Sequence, residues 1–245
     1  MVGIKGILLA GGTGSRLYPL TKVTNKHLLP VGRYPMIYHP LLKLQQAGIK
    51  DILIITGKEH LGAIMNLLGS GNDFNLDITY KVQDQPLGIA HALGLAEAFT
   101  AGHSCVVVLG DNIFQANLAP FIQKYQQQVK GAMVMLKQVE YPERFGVAEI
   151  KEDRVISIIE KPLVPPSNYS VTGIYFYDAQ VFTIIKQLQP SARGELEITD
   201  VNNAYIQMGL LNYAILPGYW TDAGTFSSLL LANQLTQDVI YEGLD

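Results

Sequence analysis

The sequence predicts an α/β fold, a single domain built on an open, mixed and mostly parallel sheet with helices on both faces. Strand and helix patterns alternate through the first half of the chain, and such alternation builds parallel sheets covered by helices. The second half is rich in strand patterns joined by short connections, which is typical of partly antiparallel pairing. No linker, repeat or low-complexity tract divides the 245 residues. We therefore expect one domain over residues 1–245.

In the first half, four strands are predicted to alternate with three helices. The strand patterns are short apolar or alternating runs. The helix patterns carry apolar residues three or four positions apart and stop at or near glycine. In chain order, strands are predicted at 5–10, 51–57, 77–83 and 104–111, and helices at 35–48, 59–69 and 88–99.

The second half is predicted to elaborate this sheet. Strands are predicted at 131–139, 145–153, 154–162 and 171–178, and helices at 179–188 and 197–209. Ligands of open α/β sheets lie beyond the carboxyl ends of the strands. The glycine loop 11–14, Gln83 and Asp111 fall at or just past predicted strand ends, so we expect them on one rim.

The amino-acid composition limits the classes of protein to which the chain can belong. Hydrophobic residues make up 48% and charged residues 16%, with a net charge of −3 and a pI near 5.9. This balance argues against a nucleic-acid polymer as partner. The sequence has no signal-peptide pattern and no apolar run long enough to span a membrane, so we expect a cytoplasmic protein without membrane contact. Cys105, alone in a strand pattern, is interpreted as a buried, inert thiol.

A glycine-rich stretch, "LAGGTGSR", follows the first strand. It is neither a Walker A loop nor a dinucleotide-binding fingerprint, because no Gly-Lys-Ser/Thr follows and Leu17 replaces the third glycine. Such a turn is a phosphate-binding loop or simply a structural turn. Arg16 and Lys26 flank it in a stretch with little periodicity. These cations suit a triphosphate, although both residue types are also common on solvated surfaces.

Two isolated aspartates are candidate metal ligands. Asp111 ends the buried run "VVVLGD", and Asp222 lies among small residues in "WTDAGT". Capping is the commoner role of an aspartate at a strand end. Two carboxylates together with phosphate oxygens would instead satisfy Mg²⁺. The spacing in sequence does not show whether the two meet in space.

The remaining candidate site residues are each ambiguous when considered alone. Glu160 and Lys161 could form an exposed ion pair, and Arg193 could be a surface residue. The acidic residues at 195, 197 and 200 could favour a helix N-terminus. The five histidines lack zinc-ligand spacing, and no Ser-His-Asp pattern is present.

Taken together, these motifs resemble one family over almost the whole chain. The sugar nucleotidyltransferases, and among them the glucose-1-phosphate thymidylyltransferases, carry similar motifs in the same order. Those quoted from this chain are "LAGGTGSRLYPLT", "NKHLLP", "PMIYHPL", "VQDQPLGIAHAL", "VLGDNIF", "PERFGVAEI", "IEKP", "YSVTGIYFYD", "SARGELEITD" and "WTDAGT". The resemblance implies a Rossmann-like nucleotidyltransferase fold, with a nucleotide-binding half at 1–115 and a sugar-phosphate-binding half at 116–245.

The resemblance also implies roles for individual residues. The catalytic cations would be Arg16, Lys26, Lys161 and Arg193. The nucleotide would contact Leu9, Ala10, Gly11, Gly12, Thr13, Gly14, Gln83, Gly88 and Asp111. The sugar would contact Asn112, Gly146, Glu160, Lys161 and Thr172. The ligands of Mg²⁺ would be Asp111 and Asp222.

The implied reaction transfers dTMP from dTTP to glucose 1-phosphate, giving dTDP-glucose and pyrophosphate, the first step towards dTDP-rhamnose. Use of UTP or of another sugar 1-phosphate is the nearest alternative. A binding protein without turnover is disfavoured by the full set of charged residues, and an NAD-dependent enzyme by the broken fingerprint. The sequence leaves open whether the chain associates into a homo-oligomer.

Two departures from the family pattern stand out. His27 follows Lys26 where the family commonly has glutamine, and it could add a pH-sensitive cation beside the phosphates. Many members also continue into a C-terminal helical extension, so we expect a short form that lacks it. Subunit contacts and feedback by pathway product, which the extension supports in long members, are left open.

Overall fold

The computed structural model describes residues 3–128 and 130–244. Its strands, numbered in chain order, are β1 Lys5–Leu9, β2 Pro30–Val31, β3 Tyr34–Pro35, β4 Asp51–Gly57, β5 Asp77–Gln83, β6 Cys105–Leu109, β7 Asn112–Phe114, β8 Ala132–Gln138, β9 Gly146–Lys151, β10 Arg154–Glu160, β11 Tyr169–Tyr177, β12 Leu211–Ile215 and β13 Trp220–Asp222. Within the described residues, nine of these strands form the central sheet.

The helices pack around this sheet. They are α1 Tyr38–Gln46, α2 Leu61–Leu68, α3 Ile89–Gly94, α4 Glu97–Thr100, α5 Ala119–Gln126, α6 Gln180–Ile185, α7 Ile198–Gln207 and α8 Phe226–Thr236. Short 3₁₀ turns lie at Ser15–Leu17, Leu20–Lys22, Lys26–Leu28, Asn72–Phe74 and Pro142–Arg144.

The sheet order is β10-β9-β11-β6-β1-β4-β5, with β8 pairing β11 and β12 pairing β8. The neighbours β6, β1, β4 and β5 are parallel. Strand β11 pairs antiparallel with β6, β8 and β9, and β10 pairs antiparallel with β9. Within the described sheet, β10 and β11 thus run against the other strands, which confirms the predicted mixed, mostly parallel α/β fold.

The register of β11 places the start of the β9–β10 hairpin beside the end of β6. On β11, Ile174 pairs with Val108 of β6, whereas Ser170, four residues earlier, pairs with Val147 of β9. The β9–β10 hairpin therefore begins at the level where β6 ends and projects beyond it. Glu160 pairs with Gly146 at the base of this hairpin. The start of the hairpin consequently lies next to the rim formed by the parallel strands.

Hydrophobic cores cover both faces of the sheet. Along β1, Leu8 packs into one core, while Ile7 and Leu9 pack into the other. This alternation follows from the opposite directions of successive side chains in a strand. Cys105 is fully buried, and burial raises the pKa of its thiol to about 12. The expectation of an inert thiol agrees with this environment.

Some elements differ from the sequence prediction. The helix expected at 88–99 is two short helices, α3 and α4, and α3 ends at Gly94. The elements β2, β3, α5, β7, β12, β13 and α8 were not predicted. Strands β7 and β13 have three residues each, which is too short for a periodic pattern. Helix α8 exposes Phe226 and Leu230, so its apolar residues do not mark one face.

Across residues 3–128 and 130–244, none of the helices has the length and apolar character needed to cross a lipid bilayer.

Candidate active site

The rim predicted from the strand ends exists. Strands β1, β5 and β6 run in the same direction and end at Leu9, Gln83 and Leu109. The glycine loop 11–14 follows β1, and Asp111 follows β6. These groups therefore meet at one edge, where a cleft opens between the parallel strands and the β9–β10 hairpin.

The cleft has two compartments that meet at Asp111. The first is lined by Leu9, Gly11, Gly12, Lys26, His27, Gln83 and Gly88, among others. The second is lined by Asn112, Arg144, Gly146, Glu160, Lys161, Arg193, Trp220 and Asp222, among others. Both compartments are bordered by Arg16, Ile89, Leu109, Asp111 and Glu195. The two compartments therefore adjoin along these residues.

The glycine loop turns sharply into the 3₁₀ turn that carries Arg16. Gly14 has a φ of 62°, in the left-handed region where glycine pays no steric penalty. A methyl group on Gly14 would lie 2.8 Å from Cγ2 of Thr21, and Thr21 donates a hydrogen bond to the Gly14 carbonyl at 2.9 Å. The close packing at Gly14 fixes the path of the loop and the start of the Arg16 turn.

Asp111 and Asp222 come together although 111 positions separate them. Strands β7 and β13 pair Asn112 with Asp222, and Ala223 donates its N–H to the Asp111 carbonyl at 2.8 Å. A methyl group on Gly224 would lie 3.2 Å from Oδ2 of Asp222, 3.5 Å from Oδ2 of Asp111 and 2.9 Å from Nη2 of Arg16. Two carboxylates and a guanidinium thus converge on one small space.

The two carboxylates differ in electrostatic environment. Burial by itself raises the pKa of Asp111, but the Lys26 ammonium, 2.5 Å from its Oδ2, holds that pKa well below its usual range. Burial, followed by the charge of Asp111, raises the pKa of Asp222, and Arg144 opposes this shift from 3.2 Å. Two buried carboxylates in proximity favour a cation between them.

The carboxylates of Asp111 and Asp222 suit a hard divalent cation that takes its remaining ligands from substrate or water. Within residues 3–128 and 130–244, no group of three or more His, Cys, Asp and Glu side chains is arranged to enclose a metal. Mg²⁺ is usually held by one or two carboxylates together with substrate phosphates and water. Asp111 and Asp222 meet that requirement, whereas a fully protein-enclosed zinc site would not be satisfied.

Gln83 and Gly88 form the far wall of the first compartment. The Gln83 side-chain amide donates to the Gly88 carbonyl at 3.2 Å and lies 2.9 Å from Nδ1 of His91. Gly88 has a φ of 99°, and a methyl group there would lie 2.5 Å from the carbonyl oxygen of Leu196. The β5–α3 loop is therefore packed directly on the segment that precedes α7, which fixes this wall.

His27 is a structural residue of this compartment. It is almost completely buried, its Nδ1 lies 2.6 Å from Oδ1 of Asn25, and its ring packs on Gly110. Burial and the neighbouring Lys26 lower its pKa to about 3. His27 is neutral near pH 7, so the expectation of a pH-sensitive cation beside the phosphates is wrong.

Glu160 organises one side of the second compartment. Its Oε2 accepts a hydrogen bond from Thr199 at 2.7 Å, and its Oε1 lies 3.6 Å from Nζ of Lys161. Lys161 has a φ of 45°, which is unfavourable for a residue with a side chain. Its N–H donates to the Phe145 carbonyl at 2.9 Å. This bond holds the lysine in its strained position at the mouth of the compartment.

Arg193 reaches the same compartment from the loop before α7. Its guanidinium lies 3.4 Å from Glu160, 3.7 Å from Glu195 and 2.8 Å from Glu197. Partial burial alone lowers the pKa of Arg193, but these carboxylates raise it above its usual value. Arg193 and Lys161 are exposed cations of this compartment, as are Arg16 and Arg144.

Several predicted contacts are placed differently. Thr172 is fully buried and its hydroxyl donates to the Met135 carbonyl at 2.9 Å, while its neighbours Val171 and Gly173 line the cleft. The Thr172 hydroxyl is therefore engaged within the sheet, and the expected contact of Thr172 with sugar stays a prediction. Ala10 is also fully buried, and its backbone is bonded to β4 and to Thr56, while Thr13 lines an adjoining hollow.

The sequence reasoning missed Arg144 and Trp220. Arg144 donates to Asp222 and lies 5.2 Å from the centre of the Phe145 ring. Trp220 donates its indole N–H to Asn112 Oδ1 at 2.7 Å, and Asn112 in turn donates to Asp111 at 3.1 Å. Both lie in motifs already quoted, "PERFGVAEI" and "WTDAGT". Each lies two positions from a candidate site residue, Arg144 from Gly146 and Trp220 from Asp222. This closeness in sequence was the signal that could have identified them.

Comparisons with known proteins agree on one family. A family model described as nucleotidyl transferase matches residues 5–239. A glucose-1-phosphate thymidylyltransferase from Neisseria meningitidis serogroup A is 49% identical over 242 residues, covering 96% of this chain and 83% of that protein. One from Xanthomonas campestris is 47% identical over 229 residues, covering 92% and 78%.

Solved structures share the fold. A Bacillus anthracis protein provisionally assigned as a glucose-1-phosphate thymidylyltransferase, in complex with sucrose, has a TM-score of 0.95 and 58% identity, and the match covers 98% of this chain and 97% of that one. An apo UDP-glucose pyrophosphorylase has a TM-score of 0.83 at 24% identity, covering 94% and 97%. The latter likeness concerns the fold alone.

Proposed function

The chain belongs to the nucleotidyl transferase family, and we propose that it transfers dTMP from dTTP to glucose 1-phosphate, releasing pyrophosphate. Relatives named for this activity match more than nine-tenths of the chain at 47–49% identity. The observation that carries the proposal is the convergence of Asp111, Asp222 and Arg16 where the two compartments meet. A phosphate-transfer reaction brings two anionic ligands together. It therefore needs groups that neutralise their negative charge at such a junction.

We assign the first compartment to the nucleotide. The Gln83 amide, which offers both donor and acceptor atoms, can bond the edge of a thymine ring, with the Gly88 backbone beside it. Leu9 supplies an apolar wall. The glycine loop and Arg16 lie between this wall and Asp111, where the triphosphate would follow. Lys26, largely buried against Asp111, adds a fixed positive charge.

We assign Mg²⁺ to Asp111 and Asp222. When bound there, the ion would neutralise charge on the reacting phosphates. The chain holds the two carboxylates with its own cations: Lys26 pairs with Asp111 and Arg144 with Asp222. These pairs keep both carboxylates oriented towards the junction.

We assign the second compartment to the sugar phosphate. Glu160, fixed by Thr199, can accept hydrogen bonds from sugar hydroxyls. Gly146 leaves the space beside it open, because a methyl group there would lie 3.4 Å from Oε2 of Glu160. Lys161 and Arg193 would bind the phosphate and aim it at the junction. The Arg193 fork suits planar contact with phosphate oxygens, and Lys161 acts as a point charge.

The proposed chemistry requires positioning and charge neutralisation. An oxygen of the sugar phosphate attacks the α-phosphorus of dTTP, the bond to the β-phosphate oxygen breaks, and pyrophosphate leaves with the electron pair. A phosphate monoester has a second pKa of about 6, so it is already an anion at neutral pH and needs no general base. The neutral, buried His27 is consistent with a mechanism that uses no histidine.

The test is pyrophosphate release with Mg²⁺ and glucose 1-phosphate, using dTTP, UTP, CTP, ATP and GTP in turn. We expect dTTP to be used best. A single pocket contact discriminates by about 1–3 kcal/mol, so slower turnover of UTP agrees with the proposal. Faster release with UTP would overturn the choice of base, and silence with all five nucleotides in folded protein would overturn the reaction. Galactose 1-phosphate in place of glucose 1-phosphate tests the sugar.

A further inference from the structure

Glu197 is a charged residue whose role the proposed reaction does not yet explain. It is the N-cap residue of α7, but its side chain does not cap that helix. Its side chain is 12% exposed, whereas that of Arg193 is 42% exposed. A carboxylate is buried in this way when its partners replace water. The partners of Glu197 therefore define what it does.

Those partners belong to one loop. Oε1 of Glu197 accepts hydrogen bonds from the Ser191 hydroxyl at 2.8 Å, from Arg193 Nε at 3.1 Å and from Arg193 Nη2 at 2.9 Å. Oε2 accepts from the same Nη2 at 2.8 Å. The Ser191 hydroxyl also accepts from the N–H of Arg193 at 3.2 Å. Both the backbone and the guanidinium of Arg193 are thus tied to Glu197.

The contact uses one edge of the guanidinium. Within residues 3–128 and 130–244, the hydrogen bonds of the Arg193 side chain use Nε and Nη2. The two N–H groups of Nη1 are then the donors that a phosphate can take. A planar guanidinium held along one edge presents its other donors in a fixed plane.

A competing carboxylate makes this anchoring necessary. Glu160 lies 3.4 Å from Arg193 Nη2, and its other oxygen is bound to Thr199. Without Glu197, the guanidinium would be drawn towards Glu160, the residue assigned to the sugar hydroxyls. An ion pair of this kind would remove Glu160 as an acceptor for the sugar hydroxyls. It would also displace Arg193 from the position in which it binds the phosphate.

We propose that Glu197 is the positioning residue that holds Arg193 for the phosphate of the sugar substrate and limits its contact with Glu160 to one long bond of 3.4 Å. This inference rests on the proposed function. It predicts that Glu197 acts through Arg193 and has no direct part in nucleotide binding.

The experiment compares Glu197→Gln, Arg193→Ala and the double variant with wild type. We expect Glu197→Gln to lower kcat/KM for glucose 1-phosphate by about 10-fold or more, since small misplacements of binding groups are costly, while KM for dTTP stays within about twofold. The double variant should be no worse than Arg193→Ala alone, because both changes remove one function. Glu97→Gln, which breaks the exposed pair of Glu97 and Lys186, is the matched control and should leave these constants unchanged.

The outcomes separate this inference from the proposed function. Additive losses in the double variant, or a loss confined to dTTP, would overturn the role of Glu197. Thermal unfolding identifies a variant that fails to fold, and Glu197→Asp, with a shorter but charged side chain, then replaces it in the same cycle. If wild type turns over no nucleotide, the proposed function fails. Calorimetric titration with glucose 1-phosphate alone still tests the coupling: equal affinities of wild type and Glu197→Gln would overturn it.

Discussion

At the scale of single residues, the site depends on how buried charges are paired. Asp111 and Lys26 are both largely buried and lie 2.5 Å apart. Asp222 is paired with the more exposed Arg144. Removing one partner of a buried pair leaves an uncompensated charge. Substitutions in these pairs therefore affect both the charge balance and the chemistry of the site, so folding is measured together with activity.

Asp111→Asn should lower kcat by roughly 100-fold or more, because the variant loses a ligand of the Mg²⁺ that would neutralise phosphate charge. The amide keeps the size of the side chain, so the protein should remain folded with a lowered melting temperature. Steady-state pyrophosphate release in Mg²⁺ and circular dichroism provide the measurements. A folded variant with near-wild-type turnover would show that Asp111 does not act in metal binding.

Lys161→Ala should chiefly weaken use of the sugar phosphate. Loss of one phosphate cation should raise KM for glucose 1-phosphate about 10-fold, which corresponds to about 1.4 kcal/mol, and leave KM for dTTP unchanged. The substitution is not expected to relieve the backbone strain at this position, where φ is 45°, because alanine is also disfavoured there. A change confined to KM for dTTP would contradict the assignment.

His39 should make the fold sensitive to acid. Its Nε2 lies 2.9 Å from the Val31 carbonyl and its Nδ1 2.8 Å from the Tyr241 hydroxyl, and burial lowers its pKa. The folded protein then binds fewer protons than the unfolded chain below pH about 6.5. Stability is fully present above that pH and falls as pH decreases, by at most about 1.4 kcal/mol per pH unit for this group.

Urea unfolding of wild type and His39→Gln between pH 7.5 and 5 measures this effect. The difference between the two proteins should shrink as pH falls. A constant difference between wild type and His39→Gln across this range would contradict the prediction.

At the scale of elements, the sequence predicted the strands that form the rim and did not predict the ones that close it. The runs "KGILLA", "DITYKVQ" and "SCVVVLGD" are apolar or alternating, so their ends located the glycine loop, Gln83 and Asp111. The pairing of β7 with β13, which brings Asp222 to Asp111, joins two three-residue strands far apart in sequence. No local pattern encodes such a contact. The resemblance to the family supplied it.

Gly88 is where two elements of the site are packed most closely. Gly88→Ala places a methyl group 2.5 Å from the Leu196 carbonyl at a φ of 99°, so we expect a loss of roughly 2 kcal/mol or more in unfolding free energy. KM for dTTP should rise because Gln83 bonds the Gly88 carbonyl. Gly62→Ala in α2, where a methyl group meets nothing within 4 Å, is the control.

The control variant Gly62→Ala should keep wild-type kinetics and should unfold no earlier than wild type, since alanine favours a helix over glycine. Equal stability of Gly88→Ala and wild type would show that the β5–α3 loop yields to the added methyl group. Such a loop could not fix the wall of the first compartment.

At the scale of the whole molecule, the parallel half of the sheet and the β9–β10 hairpin divide the cleft. The hairpin begins where β6 ends, as the pairing of Ser170 with Val147 requires. The sequence predicted strands in both regions but could not predict their register, because register depends on pairing between distant segments. The separation into nucleotide and sugar-phosphate halves at residues 115 and 116 stays a prediction, and association into a homo-oligomer stays open.

The most direct measurement is identification of the product. Purified protein is incubated with dTTP, glucose 1-phosphate and Mg²⁺, and the mixture is followed by phosphorus NMR and mass spectrometry, beside Asp111→Asn and a sample with excess EDTA. The account predicts dTDP-glucose and pyrophosphate in equal amounts with wild type, and about 100-fold less with the variant or the chelator. Hydrolysis of dTTP without a sugar nucleotide, or equal product in all three samples, would contradict it.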